Sequence, residues 1–240
     1  AVNAKYIHSN PAVYSLKAYA QEHLCTEGAD GEEADGKEAI AIEIAEYTIN
    51  MHTEEILSDI YERRPDMAAL SCYIWNWRMV RVILGELGKI LPGVLIWLGG
   101  PEVSYDAERI LEEFPTVCGI MTGEGEQTFL ELAKYYRQAR GSNEFEPDRH
   151  SIKDKVCIVQ GGGSAEDRLG KIPGIVYRKG SETVRTGERC LADMDELPFI
   201  YDDLDTFSNR ILYYESSRGC PFRCSYCLSS VSRGVRLRDM

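Results

Sequence analysis

The strongest constraint on the fold is a regular alternation of short apolar runs with amphipathic helical stripes over the first 140 residues. Continuous apolar runs are typical of strands buried on both faces, and helices between them are typical of a parallel sheet covered on both sides. We therefore predict a doubly wound α/β sheet with the flavodoxin-like strand order 2-1-3-4-5. The predicted strands are residues 1–3, 40–44, 67–71, 94–98 and 119–121, and the predicted helices are 11–24, 54–63 and three stripes at 80–91, 107–114 and 129–136.

The remaining residues divide into two further parts by composition. Residues 141–210 combine a polar insert, a hairpin pattern at 174–187 and a linker, and residues 211–240 begin a second domain. The apolar run 211–214 predicts a buried strand at the start of that domain. In the predicted order strand 1 is central, yet only its last residues are present, so we expect a few apolar residues to precede Ala1 in the natural protein.

Three cysteines follow the run 211–214 with the spacing C-x3-C-x2-C, at Cys220, Cys224 and Cys227. Thiolates in one tight loop are the usual ligands of iron–sulfur clusters. Three ligands for four irons leave one iron open to a non-protein ligand, as an open position does in catalytic metal sites. The alternatives are a zinc knuckle, which favours paired C-x2-C elements that this sequence lacks, or unrelated surface cysteines.

The segment 215–227, with Tyr226 just before the third cysteine, resembles the signature of radical S-adenosylmethionine (SAM) enzymes. The resemblance implies a [4Fe-4S] cluster on Cys220, Cys224 and Cys227, with Tyr226 beside SAM. It also implies that the open iron chelates SAM, which is cleaved to a 5′-deoxyadenosyl radical. Residues 211–240 would then be the first strand and cysteine loop of a truncated (β/α) barrel.

Ligands of open α/β sheets bind beyond the carboxyl ends of the strands, and the residues predicted there are rich in glycine and in hydrogen-bonding side chains. No G-x-G-x-x-G follows the first strand, so a dinucleotide is disfavoured. These segments are 3–10, 71–76, 99–102 and 123–128.

Together with the cysteine loop, these segments resemble the cobalamin-binding domain that precedes the radical SAM barrel in one large subfamily. The likeness covers nearly the whole chain, since the segments come in the subfamily's order. It implies a corrinoid over the strand ends, with its other face towards the cluster. The residues implied as cobalamin contacts are His8, Ser9, Asn10, Ser71, Tyr73, Gly99, Gly100, Pro101, Glu102, Gly123, Glu124 and Gly125.

Some of these residues have a second interpretation. His8 has the histidine spacing of the cobalt-ligating Asp-x-His-x-x-Gly motif but neither its Asp nor its Gly. Without a carboxylate to orient the imidazole, cobalt ligation is less secure, and a hydrogen-bonding loop residue is the alternative. Glu124 and Glu126 are either corrinoid contacts or charges at the start of a helix. Trp75 and Trp77 are either packing residues or a wall of the cleft.

Composition limits the partners. The chain of 240 residues has a formal net charge of -12, which disfavours a nucleic-acid-binding surface, and no apolar stretch approaches the length of a membrane span. Its five cysteines outside the motif show no disulfide-like pattern, which fits a reducing cytoplasm. The expected partners are a small-molecule or cofactor-like substrate and a reductant such as flavodoxin or ferredoxin.

Three functions compete at this point. The leading hypothesis is a cobalamin-dependent radical SAM enzyme catalysing methyl transfer or oxidative cyclisation at an unactivated carbon. The second is a radical SAM methylthiotransferase acting on tRNA or protein, with a second cluster on Cys25, Cys72 and Cys118. We expect Cys25 and Cys118 to lie at the sheet edge opposite Cys72, so that the three cannot converge. The third is a corrinoid-carrier or electron-transfer module, because a barrel needs ~200 or more residues and this chain holds only its start.

Overall fold

The computed structural model describes residues 1–26, 40–141, 168–201, 203–230 and 234–239. Its α-helices are α1 (Pro11–Thr26), α2 (Thr53–Arg63), α3 (Trp77–Ile90), α4 (Pro101–Ser104), α5 (Ala107–Glu113) and α6 (Glu126–Gly141). Its strands are β1 (Val2–Asn3), β2 (Tyr47–Thr48), β3 (Met67–Ser71), β4 (Leu95–Gly99), β5 (Val117–Met121), β6 (Ile175–Lys179), β7 (Glu182–Arg185), β8 (Ser217–Cys220) and β9 (Gly234–Leu237). The predicted polar insert falls mostly on residues 142–167, outside the described ones.

The main sheet has five strands in the order β3-β4-β5-β6-β7. Strands β3, β4 and β5 are parallel, with Met67 beside Leu95 and Leu98 beside Ile120. The predicted hairpin is confirmed as β6 and β7, but its place was not foreseen. Strand β6 pairs antiparallel with β5, so the hairpin extends the sheet.

Helices cover both faces of the sheet, as the alternation predicts. Along β4, Ile96 and Leu98 pack in one apolar cluster with α2, α3 and α5, while Leu95 and Trp97 pack in another with α1, α6 and the hairpin. All four side chains are buried. The predicted α/β class with a parallel sheet is therefore confirmed.

The first two strands differ from the prediction. Strand β1 pairs in parallel with β2 through Val2 and Tyr47, and the predicted strand 40–44 is wrong, because those residues have no strand structure. The register of β1 and β2 explains the error. Because Val2 lies beside Tyr47, residues 40–44 would lie beside positions that precede Ala1, and no described residue pairs with them there. The predicted neighbours β1 and β3 share no ladder among the described residues; the Asn76 side chain links them by donating to the Val2 and Ser71 carbonyls.

The predicted buried strand at 211–214 is also wrong. These residues form only an isolated parallel bridge between Ile211 and His8, and Ile211, Leu212 and Tyr214 are exposed. A strand is stabilised by partners along its edges, and the described residues supply one bridge there. The strand that leads into the cysteines is β8, which pairs antiparallel with β9.

One cysteine outside the motif departs from expectation. Cys118 is disulfide-bonded, whereas Cys72 and Cys190 are free thiols. Pairing depends on which cysteines the fold brings within bonding distance, and linear spacing does not carry that information.

No helix in the described ranges is long and apolar enough to cross a membrane.

Candidate cofactor site at the strand ends

The carboxyl ends of the parallel strands open on a cleft of about 2850 Å³. Eight of the predicted contact residues line it: Ser71, Tyr73, Gly99, Gly100, Pro101, Gly123, Glu124 and Gly125. The cleft exceeds the roughly 300–1,000 Å³ of pockets for drug-sized ligands. Part of it runs along β3 beside residues 40–45, so the volume belongs only in part to the strand ends.

The loop before α1 lies close by but is engaged with the linker. His8 Nδ1 and the Tyr213 hydroxyl share a hydrogen bond, and Ser9 Oγ lies 3.1 Å from the Tyr201 hydroxyl and donates to the Ile211 carbonyl. Ser9 is buried, and neither Ser9 nor His8 lines the cleft. His8 therefore acts in this structure as a hydrogen-bonding loop residue that joins the sheet domain to residues 211–213.

Asn10 links this loop to the end of β3. Its side-chain amide donates to Ser71 Oγ at 3.3 Å, and its Oδ1 is buried without a hydrogen-bond partner. A buried unpaired acceptor is costly. Asn10 does not line the cleft, so its predicted contact with cobalamin stays a prediction.

A buried carboxylate that the sequence did not single out organises the same corner. Glu46 accepts hydrogen bonds from Asn3, Tyr14 and Arg210, and from the Asn10 backbone amide at 3.1 Å. Burial alone would raise the pKa of Glu46, but the hydrogen bonds from Arg210, Tyr14 and Asn3 outweigh it and hold the pKa below its usual value. The sequence offers a weak signal for it, since Glu46 is the second of two charges, after Glu43, in the largely apolar stretch 40–47.

An aromatic pair follows β3, and its Tyr73 lines the cleft. The rings of Tyr73 and Trp75 stack with centroids 4.4 Å apart and 9° between planes. Trp75 is half exposed, whereas Trp77 packs edge-on against Phe114 in the core. Asn76 holds this turn, since its Oδ1 accepts from the Tyr73 amide at 2.8 Å. Trp77 thus has the predicted packing role, whereas Trp75 as a wall of the cleft stays a prediction, since only its stacking partner Tyr73 lines the cleft.

The Gly-Gly-Pro-Glu segment is held by backbone contacts. The Cys72 amide donates to the Gly99 carbonyl at 2.7 Å, and the Glu102 amide donates to the Cys72 carbonyl at 3.3 Å. Gly100 has φ +108°, and a Cβ added there would lie 2.4 Å from the Cys72 carbonyl oxygen. Only glycine fits, so the close approach that requires Gly100 is to the chain itself.

The Gly-Glu-Gly-Glu segment carries ion pairs that were not foreseen. Glu126 accepts from Ser15 Oγ and Arg218 Nη2, each at 2.8 Å, and Glu124 pairs with Arg236. Burial opposes ionisation of Glu126, but Arg218 and Ser15 lower its pKa below the usual range. Both glutamates therefore bind arginines of β8 and β9. Glu126 also begins α6 as predicted, and corrinoid contact stays a prediction.

The cysteine loop follows β8. Cys220 ends that strand, and the Cys227 amide donates to the Cys224 carbonyl at 3.1 Å within the turn. None of the three is disulfide-bonded, and Tyr226 is 91% exposed. Free thiols in one turn are the donors that a cluster requires. Their positions do not converge, since the described residues contain no group of three His, Cys, Asp or Glu side chains placed to hold a metal ion.

The second set of cysteines is not suited to a cluster. Cys72 is fully buried, and burial raises the pKa of its thiol to about 12, so the thiolate that binds metal is disfavoured. Cys118 is disulfide-bonded. These states speak against the methylthiotransferase hypothesis.

Comparison with known proteins decides the family. The family model described as B12 binding domain matches residues 1–133, more than half of the chain. The chain belongs to the B12-binding domain family. The resemblance drawn from the sequence is thus confirmed.

Curated relatives extend beyond the B12-binding domain. The chain is 30% identical over 187 residues to the cobalamin-dependent radical SAM methyltransferase TokK of Streptomyces tokunonensis, covering 72% of this chain and 23% of that protein. It is 25% identical over 198 residues to the anaerobic magnesium-protoporphyrin IX monomethyl ester cyclase of Cereibacter sphaeroides, covering 78% of this chain and 28% of that protein. The chain thus spans about a quarter of the length of these relatives.

A solved structure shares the fold. The apo form of OxsB, a cobalamin-dependent S-adenosylmethionine radical enzyme, superposes with a TM-score of 0.60 and 18% sequence identity. The match covers 96% of this chain and 27% of that protein. It therefore extends past the B12-binding domain to the antiparallel pair of β8 and β9, which we call the cysteine hairpin.

Proposed function

We propose that this chain is the corrinoid-binding and cysteine-loop part of a cobalamin-dependent radical SAM enzyme. The observation that carries the proposal is that one cleft is lined both by strand-end residues of the B12-binding domain and by β8 and β9, which flank the cysteine loop. Ser71, Tyr73 and Gly99 line the cleft from the sheet, and Arg218 and Gly219 line it from β8. A corrinoid in the cleft would therefore lie close to the C-x3-C-x2-C segment.

The residues that would hold the corrinoid are those of the strand-end portion of the cleft. Ser71 Oγ supplies a polar contact, and the ring of Tyr73, which stacks on Trp75, supplies an aromatic face. Gly123 has φ +75° and open space around it, so a ligand can approach its backbone closely. A bound corrinoid supplies a cobalt centre that carries a methyl group or serves in redox chemistry.

The cysteine loop is proposed as the cluster site. Cys220, Cys224 and Cys227 would bind three irons of a [4Fe-4S] cluster once the turn brings their thiols together, and the cluster would supply the electron for cleavage of SAM. Tyr226 would lie beside SAM, and its exposed ring leaves it free to do so. The reductant would be a protein such as flavodoxin or ferredoxin, and the substrate a small or cofactor-like molecule.

The proposed reaction class is taken from the names of the relatives. Relatives named methyltransferase and cyclase both match the chain, so methyl transfer and oxidative cyclisation remain the two candidate outcomes. Both need hydrogen abstraction at an unactivated carbon, which is the chemistry that a 5′-deoxyadenosyl radical supplies.

The proposal is tested by anaerobic reconstitution of the chain with iron, sulfide and a corrinoid. We expect about four irons per chain and a corrinoid absorption spectrum. In Cys224→Ala we expect the iron content to fall while the corrinoid stays bound, because the two sites use different residues. Cys190→Ala is the matched control, since Cys190 is an exposed free thiol outside the motif.

The cluster assignment and the corrinoid assignment can fail separately. Equal iron in Cys224→Ala and Cys190→Ala would refute the cluster assignment. Corrinoid binding without iron in the unmodified chain would favour the carrier module instead. About eight irons and no corrinoid would favour the methylthiotransferase.

A further inference from the structure

Four charged side chains join the cysteine hairpin to the start of α6. We call Glu124, Glu126, Arg218 and Arg236 the Arg–Glu cluster. Arg218 lies 2.8 Å from Glu126 and 3.6 Å from Glu124, and Arg236 contacts both carboxylate oxygens of Glu124. The Glu126 side chain is 6% exposed and that of Arg218 19%, so these pairs are much better shielded from solvent than ordinary surface pairs.

The hairpin depends on these polar contacts because it buries little apolar surface. Val235 is 40% exposed and Leu237 71% exposed. The other contacts of the hairpin with the preceding chain include Arg238 donating to the Leu197 carbonyl and the Asp239 amide donating to Asp195. Apolar burial is therefore too small to fix the hairpin on the sheet domain.

The register of the hairpin adds a second reason. Arg218 and Arg236 lie directly opposite each other in the antiparallel ladder, so both side chains emerge on the same face. Like charges at opposed positions destabilise a strand pair. Glu215, just before β8, pairs with Arg218, and Glu126 and Glu124 of the sheet domain pair with Arg218 and Arg236 and neutralise the remaining repulsion. Formation of the hairpin is thereby coupled in part to its docking.

We propose that Glu124 and Glu126 are positioning residues that hold the cysteine hairpin on the B12-binding domain. That the cysteine hairpin carries a cluster loop, and that this loop lies beside a corrinoid, rests on the function proposed above. Arg218 stands two residues before Cys220 on β8, so the ion pair with Glu126 sets where the cysteine turn begins. The Gly-Glu-Gly-Glu segment thus serves the contact between the two cofactor sites.

The test is hydrogen–deuterium exchange of peptides covering β8 and β9 in the chain without any cofactor. In the double variant Glu124→Gln/Glu126→Gln we expect the hairpin amides to exchange at least about tenfold faster, because hydrogen bonds to charged groups are lost at the docking contact. Glu108→Gln is the matched control, since Glu108 makes a two-oxygen ion pair with Arg185 on β7, away from the hairpin. Unchanged hairpin exchange in the double variant would overturn the proposal.

A rescue variant separates charge neutralisation from general loss of structure. Adding Arg236→Gln to the double variant removes the opposed like charge, so we expect part of the hairpin protection to return. A further loss of protection would overturn the repulsion argument.

The corrinoid spectrum keeps this proposal distinct from the function on which it rests. Corrinoid binding is measured in the double variant beside the unmodified chain, because Glu124 also lines the cleft. Lost corrinoid binding with an intact hairpin would assign the glutamates to ligand contact and refute the positioning role. If the unmodified chain binds no corrinoid but the exchange results hold, the proposed function fails and the docking role stands.

Discussion

Replacing Gly100 by alanine tests whether the Gly-Gly-Pro-Glu segment is required by the fold or by a ligand. Gly100 has φ +108° and ψ 169°, a conformation that costs a non-glycine residue about 1–3 kcal/mol. The added Cβ would also lie 2.4 Å from the Cys72 carbonyl oxygen and 3.1 Å from its amide nitrogen. Cys72 is fully buried and its amide is bonded to the Gly99 carbonyl, so the backbone has little room to move.

Relief of this clash would break backbone hydrogen bonds. Moving Cys72 away weakens its bonds with Gly99 and Glu102, each worth about 1 kcal/mol. With the conformational cost, we expect Gly100→Ala to lower the free energy of unfolding by about 3–5 kcal/mol. Urea denaturation followed by tryptophan fluorescence measures this in the protein without ligand.

Two other glycines calibrate the result. Gly180 has φ +60° and open space, so Gly180→Ala should lose only about 1–2 kcal/mol of stability. Gly85 lies in α3 with nothing near an added Cβ, and Gly85→Ala should gain up to about 1 kcal/mol. If Gly100→Ala is no more destabilising than Gly180→Ala, the steric reasoning is refuted and Gly100 is left as a ligand contact.

Two further predictions concern buried polar groups. Glu46→Gln should destabilise the fold by roughly 1–3 kcal/mol at pH 7. Because the folded-state pKa of Glu46 lies below its ordinary 4.5, this contribution is present above pH 4.5 and is lost as pH falls through the folded value. Unfolding midpoints at successive pH values should therefore converge with those of the wild type in acid, and a gap that widens there would contradict the account. Tyr136→Phe removes the acceptor of the buried Trp97 Nε1–H, 3.1 Å away, and should lower the free energy of unfolding by about 1–3 kcal/mol in the same urea assay. The exposed Tyr61→Phe should change it by under about 0.5 kcal/mol, and equal effects of the two variants would argue against the hydrogen bond.

Local sequence patterns correctly predicted strands and helices that pair or pack along their whole predicted length. The run 67–71 is bounded by Pro65-Asp66 and is a strand over its predicted length, because it pairs with β4 along that length. The helical stripe at 80–91 packs as expected, since Val80, Ile83 and Leu87 are buried.

Patterns failed where a residue's state depends on distant partners. The runs 40–44 and 211–214 are as apolar as real strands, but a strand also needs a neighbour, which the run itself cannot reveal. The ion pair of Arg218 with Glu126 joins positions 92 residues apart, so no spacing rule identifies it. The cobalamin and SAM contacts read from family likeness stay predictions, although eight of them line one cleft.

The antiparallel pairing of β6 with β5 has a practical consequence for any attempt to produce the B12-binding domain by itself. The family match ends at residue 133, yet the edge of β5 is covered by residues that come more than 40 positions later. A fragment cut near residue 140 would present the bare backbone of Gly119, Ile120 and Met121 to other copies, and uncovered edges of this kind recruit foreign strands and drive aggregation. A fragment that stays in solution as a monomer should therefore extend at least through Arg185.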